Sequence, residues 1–324
     1  MPKPPRRRSG WAEAGAVGKT TGPASVRVRV PATSANLGPG FDSLGLALTL
    51  YDEAMVGLRS DDKVVIDIVG LGADSLPRDE QHLLLRSLRI AAEHFGLHVD
   101  GVEIRVINAI PQGRGLGSSA ATIAAGVAAA WMLVPGHDRL DPVAVLAVAA
   151  GIEGHPDNVS ACVYGGLTIS WQGAGQAAAV ALPIHPDIEP VVFVPGQELS
   201  TDTARGLLPD SVPHADAAFT AGRSALLIHA LTAAPDLLLE ATEDRLHQSY
   251  RAAAMPETTA LLDELRRLGI PAVVSGAGPS VLVLCGAQAQ AEHSMQLRPP
   301  LGWSRHRLAV SAGAEIAVID DGRE

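Results

Sequence analysis

The sequence predicts an α+β protein of two domains, and three observations predict it. Strand-period and helix-period stretches follow one another along the chain after about residue 24. At 324 residues and 47% hydrophobic content the chain can bury a substantial core, more than one domain usually needs. At mid-chain a strand pattern runs into the turn formers Gly173 to Gly175, and the domain change is placed there, giving a first domain over 23–170 and a second over 171–324 whose last strand can return to the first.

Taken in order, Lys3, Arg6, Arg7, Arg8 and Lys19 against Glu13 leave the first 22 residues at +4, and the remainder at −14. Segment 1–22 is rich in Pro, Gly, Arg and Ser and cannot bury enough apolar area to offset ordering entropy, so a disordered basic tail is expected. Residues 25–30 alternate apolar and cationic side chains, a half-buried strand with Arg27 and Arg29 on its wet face. The loop at 31–45 is dense in turn formers yet holds Asn36 and Asp42, whose short polar heads suit a cleft. The run 46–51 is too short for periodicity to decide and is read as strand, because 52–58 and 64–69 continue in that style. An amphipathic helix is expected over 81–95, on Leu83, Leu84, Leu88, Ala91, Ala92 and Phe95, and a strand over 102–107. Strong helix formers without proline run over 120–132, and Asp141-Pro142 carries the N-cap and N1-proline signature of a helix reaching about Gly151. Beyond it come strands at 164–171 and 191–195, a capped helix start at 199–205 that includes Thr201 and Arg205, and helices at 216–232 and 257–268. Strands at 272–275 and 280–284 flank the turn Gly276-Ala277-Gly278-Pro279.

Two stretches carry chemistry. Pro111-Gln112-Gly113-Arg114-Gly115-Leu116-Gly117-Ser118-Ser119-Ala120-Ala121 joins a strand to a helix through three alternating glycines and two hydroxyls. Glycine admits φ > 0 and close approach of backbone N–H groups to an anion, and the helix start adds unpaired donors and a positive dipole end. Ser118 and Ser119 offer hydroxyls to phosphate oxygens or to a Mg²⁺ shell. A Walker loop is excluded, because serine rather than lysine follows Gly117. A dinucleotide fingerprint stays open on Gly115, Gly117 and Ala120, with Asp138 about 20 residues on. So does a plain glycine turn capped by Ser118. The second stretch, Glu153-Gly154-His155-Pro156-Asp157-Asn158, gathers two carboxylates, an imidazole and an amide, a set suited to acid–base or metal work and equally to a solvated helix-to-helix turn.

Composition excludes other classes. A net charge of −10 argues against nucleic acid as a partner. The longest apolar run, 120–136, is broken by Thr122, Gly126 and Gly136, so no membrane span is expected. Two cysteines without a C-x-x-C pair, and no secretory apolar region at the start, fit a cytoplasmic protein.

The three glycine-rich stretches at 31–45, 111–122 and 275–281, in that order, resemble the signature motifs of the GHMP small-molecule kinase superfamily. Residues 111–121 are similar to its P-x-x-x-G-L-G-S-S-A-A motif. Within it, S-A-N-L-G-P-G-F-D-S-L-G-L and E-G-H-P-D-N resemble the homoserine kinase branch rather than the mevalonate or galactose enzymes. The resemblance implies a ribosomal-protein-S5-like N-terminal domain that binds ATP and a ferredoxin-like C-terminal domain that clamps the substrate. It implies transfer of the ATP γ-phosphoryl group to the side-chain hydroxyl of L-homoserine, on the route to threonine. On the same ground Pro111 to Ala121 hold the triphosphate, Ser119 and Glu153 hold Mg²⁺, and Asn36, Asp42, His155 and Thr201 bind homoserine. Arg205 and Arg251 then grip its carboxylate, and Asp157 orients the reacting groups. Many relatives carry more residues between the glutamate and the histidine, where this chain has only Gly154. A homodimer is compatible with this reading. A nicotinamide-dependent dehydrogenase and a nucleotide sensor without turnover are the rival functions.

Overall fold

A computed structural model describes residues 25–319 apart from Ala174 and Ala287, so the expected tail at 1–22 lies outside the described residues. The first unit runs β1 (Ser25–Ala35), β2 (Leu44–Arg59), β3 (Val64–Gly70), α1 (Leu83–Phe95), β4 (Gly101–Asn108), α2 (Ser118–Leu133), α3 (Pro142–Glu153), α4 (Asp157–Tyr164), β5 (Leu167–Gln172) and β6 (Ala177–Leu182). The second runs β7 (Glu189–Val194), α5 (Thr201–Gly206), α6 (His214–Thr232), α7 (Leu238–Ala241), α8 (Gln248–Arg251), α9 (Pro256–Arg267), β8 (Ala272–Val274), β9 (Val281–Cys285), α10 (Gln288–Gln296) and β10 (Ser304–Arg307). The strand β11 (Glu315–Ile319) then pairs antiparallel with β1. Among the described residues, seven strands make one sheet in the order β11-β1-β2-β4-β3, with β5 and β6 continuing from the first half of β2, and four make a second in the order β10-β7-β9-β8. Among the described residues, only β3 and β4 pair in parallel in the first sheet, joined through α1. The doubly wound sheet of a dinucleotide fold is therefore not what β4 and α2 belong to, and Asp138 sits in the turn after α2.

The alternation in β1 does what its period requires. Val26, Val28 and Val30 are buried, while Arg27 reaches Glu53 of β2 at 2.7 Å and Arg29 reaches Glu315 of β11 at 3.4 Å. A register shift between Pro31 and Ala32 then redirects the chain into the loop that carries Asn36 (φ 68°), Leu37 (φ 49°) and Asp42 (φ 53°) in the left-handed region. Helix α2 packs against α1, α3, α4 and β1 and is apolar around most of its circumference. At the α1 contact Gly126 is what lets the helices come so close: a Cβ there would stand 2.6 Å from the Leu84 carbonyl oxygen. One apolar cluster runs from this helix across to Val192, Leu227, Val273 and Leu282, so both units share a core. No helix among the described residues is long and apolar enough to cross a membrane.

Two expectations are corrected. The strand expected over 164–171 begins at Leu167, because Val159, Cys162 and Val163 line up as the buried face of α4, which ends at Tyr164, and Gly165 (φ 75°) and Gly166 (φ 66°) then turn the chain. The first sheet also extends beyond residue 170, to Leu182. The turn read at Gly173 and Gly175 is there as a hairpin turn inside that sheet, closed by the Gly173 N–H donating to the Gln176 carbonyl at 2.9 Å.

Asp52, 6% exposed in β2, accepts the backbone N–H groups of Ala109 at 2.7 Å and Ile110 at 2.8 Å and so fixes the point where β4 gives way to the glycine loop. Burial pushes its carboxyl from 3.8 up to about 6, against the pull of those two amides. The folded state then binds more protons than the unfolded one between these values, so Asp52 contributes stability below about pH 4 that is lost as pH rises through 6. Asp52→Asn keeps an oxygen acceptor without the charge. Urea unfolding of both proteins at about pH 4 and pH 7 should show the variant gaining on the parent by up to about 3 kcal/mol.

Candidate active site

The glycine loop is shaped by glycines at Gly113 (φ 63°), Gly115 (φ 69°) and Gly117 (φ 69°). A Cβ on Gly115 would lie 2.1 Å from the Ser275 carbonyl oxygen, and one on Gly117 would lie 1.9 Å from Thr33 Oγ1, so close approach requires glycine there as much as φ does. The loop's carbonyls are taken up by protein. Leu199 N–H donates to Gly113 O at 2.9 Å, Ser275 Oγ to Gly115 O at 2.6 Å, and Thr33 N–H to Leu116 O at 3.0 Å. Arg114 is occupied as a tie, its guanidinium bonding Gln112 O at 2.6 Å, Gly196 O at 2.7 Å and Glu198 Oε1 at 2.6 Å. Among the described residues, the amide N–H groups from Gly113 to Ser119 donate to no protein acceptor. That leaves a row of donors at the start of a 16-residue helix, an arrangement that attracts an anion.

Ser119 Oγ, in the first turn of α2, donates to Glu153 Oε2 at 2.9 Å from the last residue of α3. Burial pushes the Glu153 carboxyl up, opposed chiefly by the Ser119 hydroxyl and His155. Gly154 (φ 90°) ends α3, and from the next residue His155 Nδ1 donates to Asp157 Oδ1 at 3.0 Å, which also accepts the Asn158 N–H at 2.7 Å. The Asp157 carboxylate raises the His155 pKa above its usual value against the effect of burial. Since a carboxylate only accepts, the His155 proton sits on Nδ1 and Nε2 is left free. Asn158 Oδ1 in turn accepts from Thr33 Oγ1 at 2.8 Å.

The second unit closes the cleft. Asn36 donates its side-chain amide to Gly276 O at 2.8 Å and accepts Asp42 N–H at 2.9 Å. Ser200 caps α5, and Arg205 on that helix grips Asp42 with both prongs, at 2.7 and 3.2 Å. Hydrogen bonding to Asp42 raises the Arg205 pKa. Arg251 is only 1% exposed, and burial lowers its pKa. Both guanidinium carbons stand over the Phe41 ring, at 5.8 and 5.5 Å. A cavity of about 290 Å³ adjoins, sharing Gly113, Ser118 and Ser119 with the cleft and walled by Val30, Ala54, Leu76, Pro77 and Leu83, with Asp52, His82 and Asn108 as polar points. His82 is 4% exposed and its Nδ1 has no hydrogen-bond partner.

Most of the expected residues converge. Asn36, Pro111, Gly113 to Ser119, Glu153, His155, Asp157, Thr201, Arg205 and Arg251 line one cleft, and Gln112 lines the adjoining cavity. Asp42 reaches the cleft through Arg205. Ala120 and Ala121 do not line it; both are fully buried in the α2 core, and the Ala121 N–H is spent on Gly117 O at 2.8 Å. Sequence reasoning missed Thr33, Phe41, His82 and Ser275. Thr33, Phe41 and Ser275 had a signal, since they lie in the first and third glycine-rich stretches, whereas nothing local distinguishes His82.

The description "GHMP kinases N terminal domain" matches residues 82–166, and "GHMP kinases C terminal" matches residues 223–298. A homoserine kinase of Streptomyces avermitilis is 57% identical over 298 residues, 91% of this chain and 97% of the relative. One from Clavibacter michiganensis subsp. michiganensis is 48% identical over 301 residues, 92% and 95% of the two chains. The crystal structure of homoserine kinase from Cytophaga hutchinsonii superposes with a TM-score of 0.79 at 26% identity, covering 91% of this chain and 98% of that one. The chain belongs to the GHMP kinases, in the homoserine kinase family.

Gly115→Ala should cost about 2 kcal/mol or more in urea unfolding, from strain and from the clash with Ser275 together. Gly96→Ala, also left-handed at φ 73° but with nothing within 4 Å of the added methyl, isolates the backbone cost and should lose about 1 kcal/mol.

Proposed function

We propose that the chain transfers the γ-phosphoryl group of ATP to the side-chain hydroxyl of L-homoserine, giving O-phospho-L-homoserine. The observation that carries this reading is that the unspent amides of the glycine loop open onto the same cleft as Arg205 and Arg251. One end of the cleft suits a phosphate chain, and the other suits a small carboxylate ligand. The adjoining cavity, mostly apolar with a few polar points, takes the nucleoside, and the unpartnered His82 Nδ1 is available to the base.

Gly113 to Ser119 hold the phosphates through backbone N–H groups, and the Ser118 hydroxyl joins them. Ser119 and Glu153 fit Mg²⁺, as two oxygen donors side by side at 2.9 Å next to the phosphate nest. Among the described residues no group of three or more His, Cys, Asp or Glu side chains converges, so the phosphates and water would complete the shell. Bound there, the ion would neutralise charge building on the transferred group. Arg205 and Arg251 hold the homoserine carboxylate, Asn36, Asp42 and Thr201 surround the rest of the molecule, and His155, oriented by Asp157, meets the hydroxyl through Nε2. Most of the acceleration comes from holding the hydroxyl in line with the terminal phosphorus and from charge neutralisation.

ADP release measured with homoserine, serine, threonine, mevalonate and galactose as acceptors tests the reading. Turnover confined to mevalonate or galactose rejects it. Arg205→Ala should raise the homoserine KM about thirtyfold, ~2 kcal/mol, and leave the ATP KM unchanged. Chelation of divalent ions should abolish turnover, and Glu153→Gln should raise the Mg²⁺ concentration needed for half-maximal rate, read by titration at saturating ATP.

A further inference from the structure

Arg251 is a nearly buried cation with no carboxylate within ion-pair distance among the described residues. Its Nε donates to Ala204 O at 3.2 Å, and its Nη1 lies 3.1 Å from His247 Nδ1. A guanidinium has no lone pair to offer and keeps its protons, so His247 Nδ1 accepts, and the imidazole proton is on Nε2. That proton is donated to Gly38 O at 2.8 Å, in the loop that also carries Asn36 and Asp42. The ring is fully buried and stacks on Phe41 with centroids 5.1 Å apart. Its backbone is held as well: Asp244 accepts the N–H groups of Leu246 at 2.9 Å, His247 at 3.0 Å and Gln248 at 2.8 Å.

We propose that His247 is a positioning residue for the acceptor's carboxylate, its imidazole bridging the Gly38 carbonyl and the Arg251 guanidinium so that the guanidinium is fixed facing the cleft. The proposal rests on the reading of Arg251 as part of the carboxylate grip. Burying a guanidinium without a counter-charge is costly, and a bound carboxylate would supply the missing charge. His247 meets the cation with a neutral acceptor, which orients it without neutralising it. An acidic residue there would orient Arg251 equally well and would satisfy it before substrate arrived. The charged groups facing the imidazole are Asp244 from the preceding turn, Arg251 from α8 and Asp42 from the loop before β2. Burial, with Arg251 beside it, lowers the imidazole pKa against the two aspartates, so the ring keeps its lone pair for Arg251.

Two substitutions separate the halves of the bridge. In His247→Asn the amide oxygen can stand where Nδ1 stands, keeping the acceptor for Arg251 and giving up Gly38. In His247→Gln the amide nitrogen reaches Gly38 and the acceptor for Arg251 is lost. Steady-state kinetics with homoserine and ATP varied in turn should show the Gln variant with a homoserine KM raised about tenfold and an ATP KM within about twofold of the parent. The Asn variant should stay within about threefold for both substrates. Equal rises in homoserine KM for the two variants, no rise in either, or a parallel rise in ATP KM would overturn the proposal in favour of a purely structural tie. Absence of turnover with homoserine in the unaltered protein would overturn the acceptor assignment itself. If neither variant folds, ring-nitrogen NMR of the histidine-labelled parent decides. A neutral Nε2–H ring at His247, whose Nδ1 signal moves with homoserine and not with ATP alone, supports the role, and an Nδ1–H or charged ring rejects it.

Discussion

The glycine loop keeps its shape because its carbonyl oxygens are engaged from three directions. Thr33 reaches it from β1, Leu199 from the segment before α5, and Ser275 from the turn between β8 and β9. A backbone whose acceptors are spent on the protein turns its donors elsewhere, and here the amides from Gly113 to Ser119 remain for a ligand. Two of the three partners belong to the second unit. The anion nest therefore exists only where the units are docked, and the shared apolar core that runs from α2 to Val273 and Leu282 holds them so. Asp52 supports the same loop from behind, by pinning Ala109 and Ile110.

Charge is distributed to match. A chain with a net charge of −10 has no long-range attraction for a polyanion, so the local donors and the arginines must supply it. Arg205 is half-exposed and leans on Asp42, while Arg251 is buried against neutral partners. The desolvation cost of that second cation is met by folding, with no carboxylate of the described residues in ion-pair distance to offset it. The His155–Asp157 pair and the Ser119–Glu153 pair line the same cleft, and Gly154 alone separates Glu153 from His155 in sequence. The short spacing does no harm to the metal-type pair, because Glu153 closes α3 at the point where α2 begins.

What was legible in the chain was local. The valines of β1, the Asp141-Pro142 start of α3 and the Ser200 cap of α5 are each set by interactions within a few residues, and each is found where its pattern points. What was not legible depends on distant partners. Gly173 and Gly175 read as a turn, but that the turn joins two strands of one sheet follows only from the pairing of β5 with β6. Ala120 and Ala121 belong to the motif by spelling, yet helix geometry turns them into the core, where small side chains let α2 pack closely. His82 gave no signal because its neighbours in the site come from other elements.

The sequence by itself determined many of the strands and helices, the glycine loop where the chain turns, and the polar residue types gathered in that loop and just after α3, because periodicity, Cβ sterics and side-chain chemistry act over short distances. Only the tertiary structure decided which of those residues share a cleft. It also decided that the strand expected to return to the first domain does so beside β1, that Arg114 is a tie between units, and that Arg251 is held by His247. These follow from burial and from hydrogen bonds between segments as much as 294 residues apart, which no local pattern encodes.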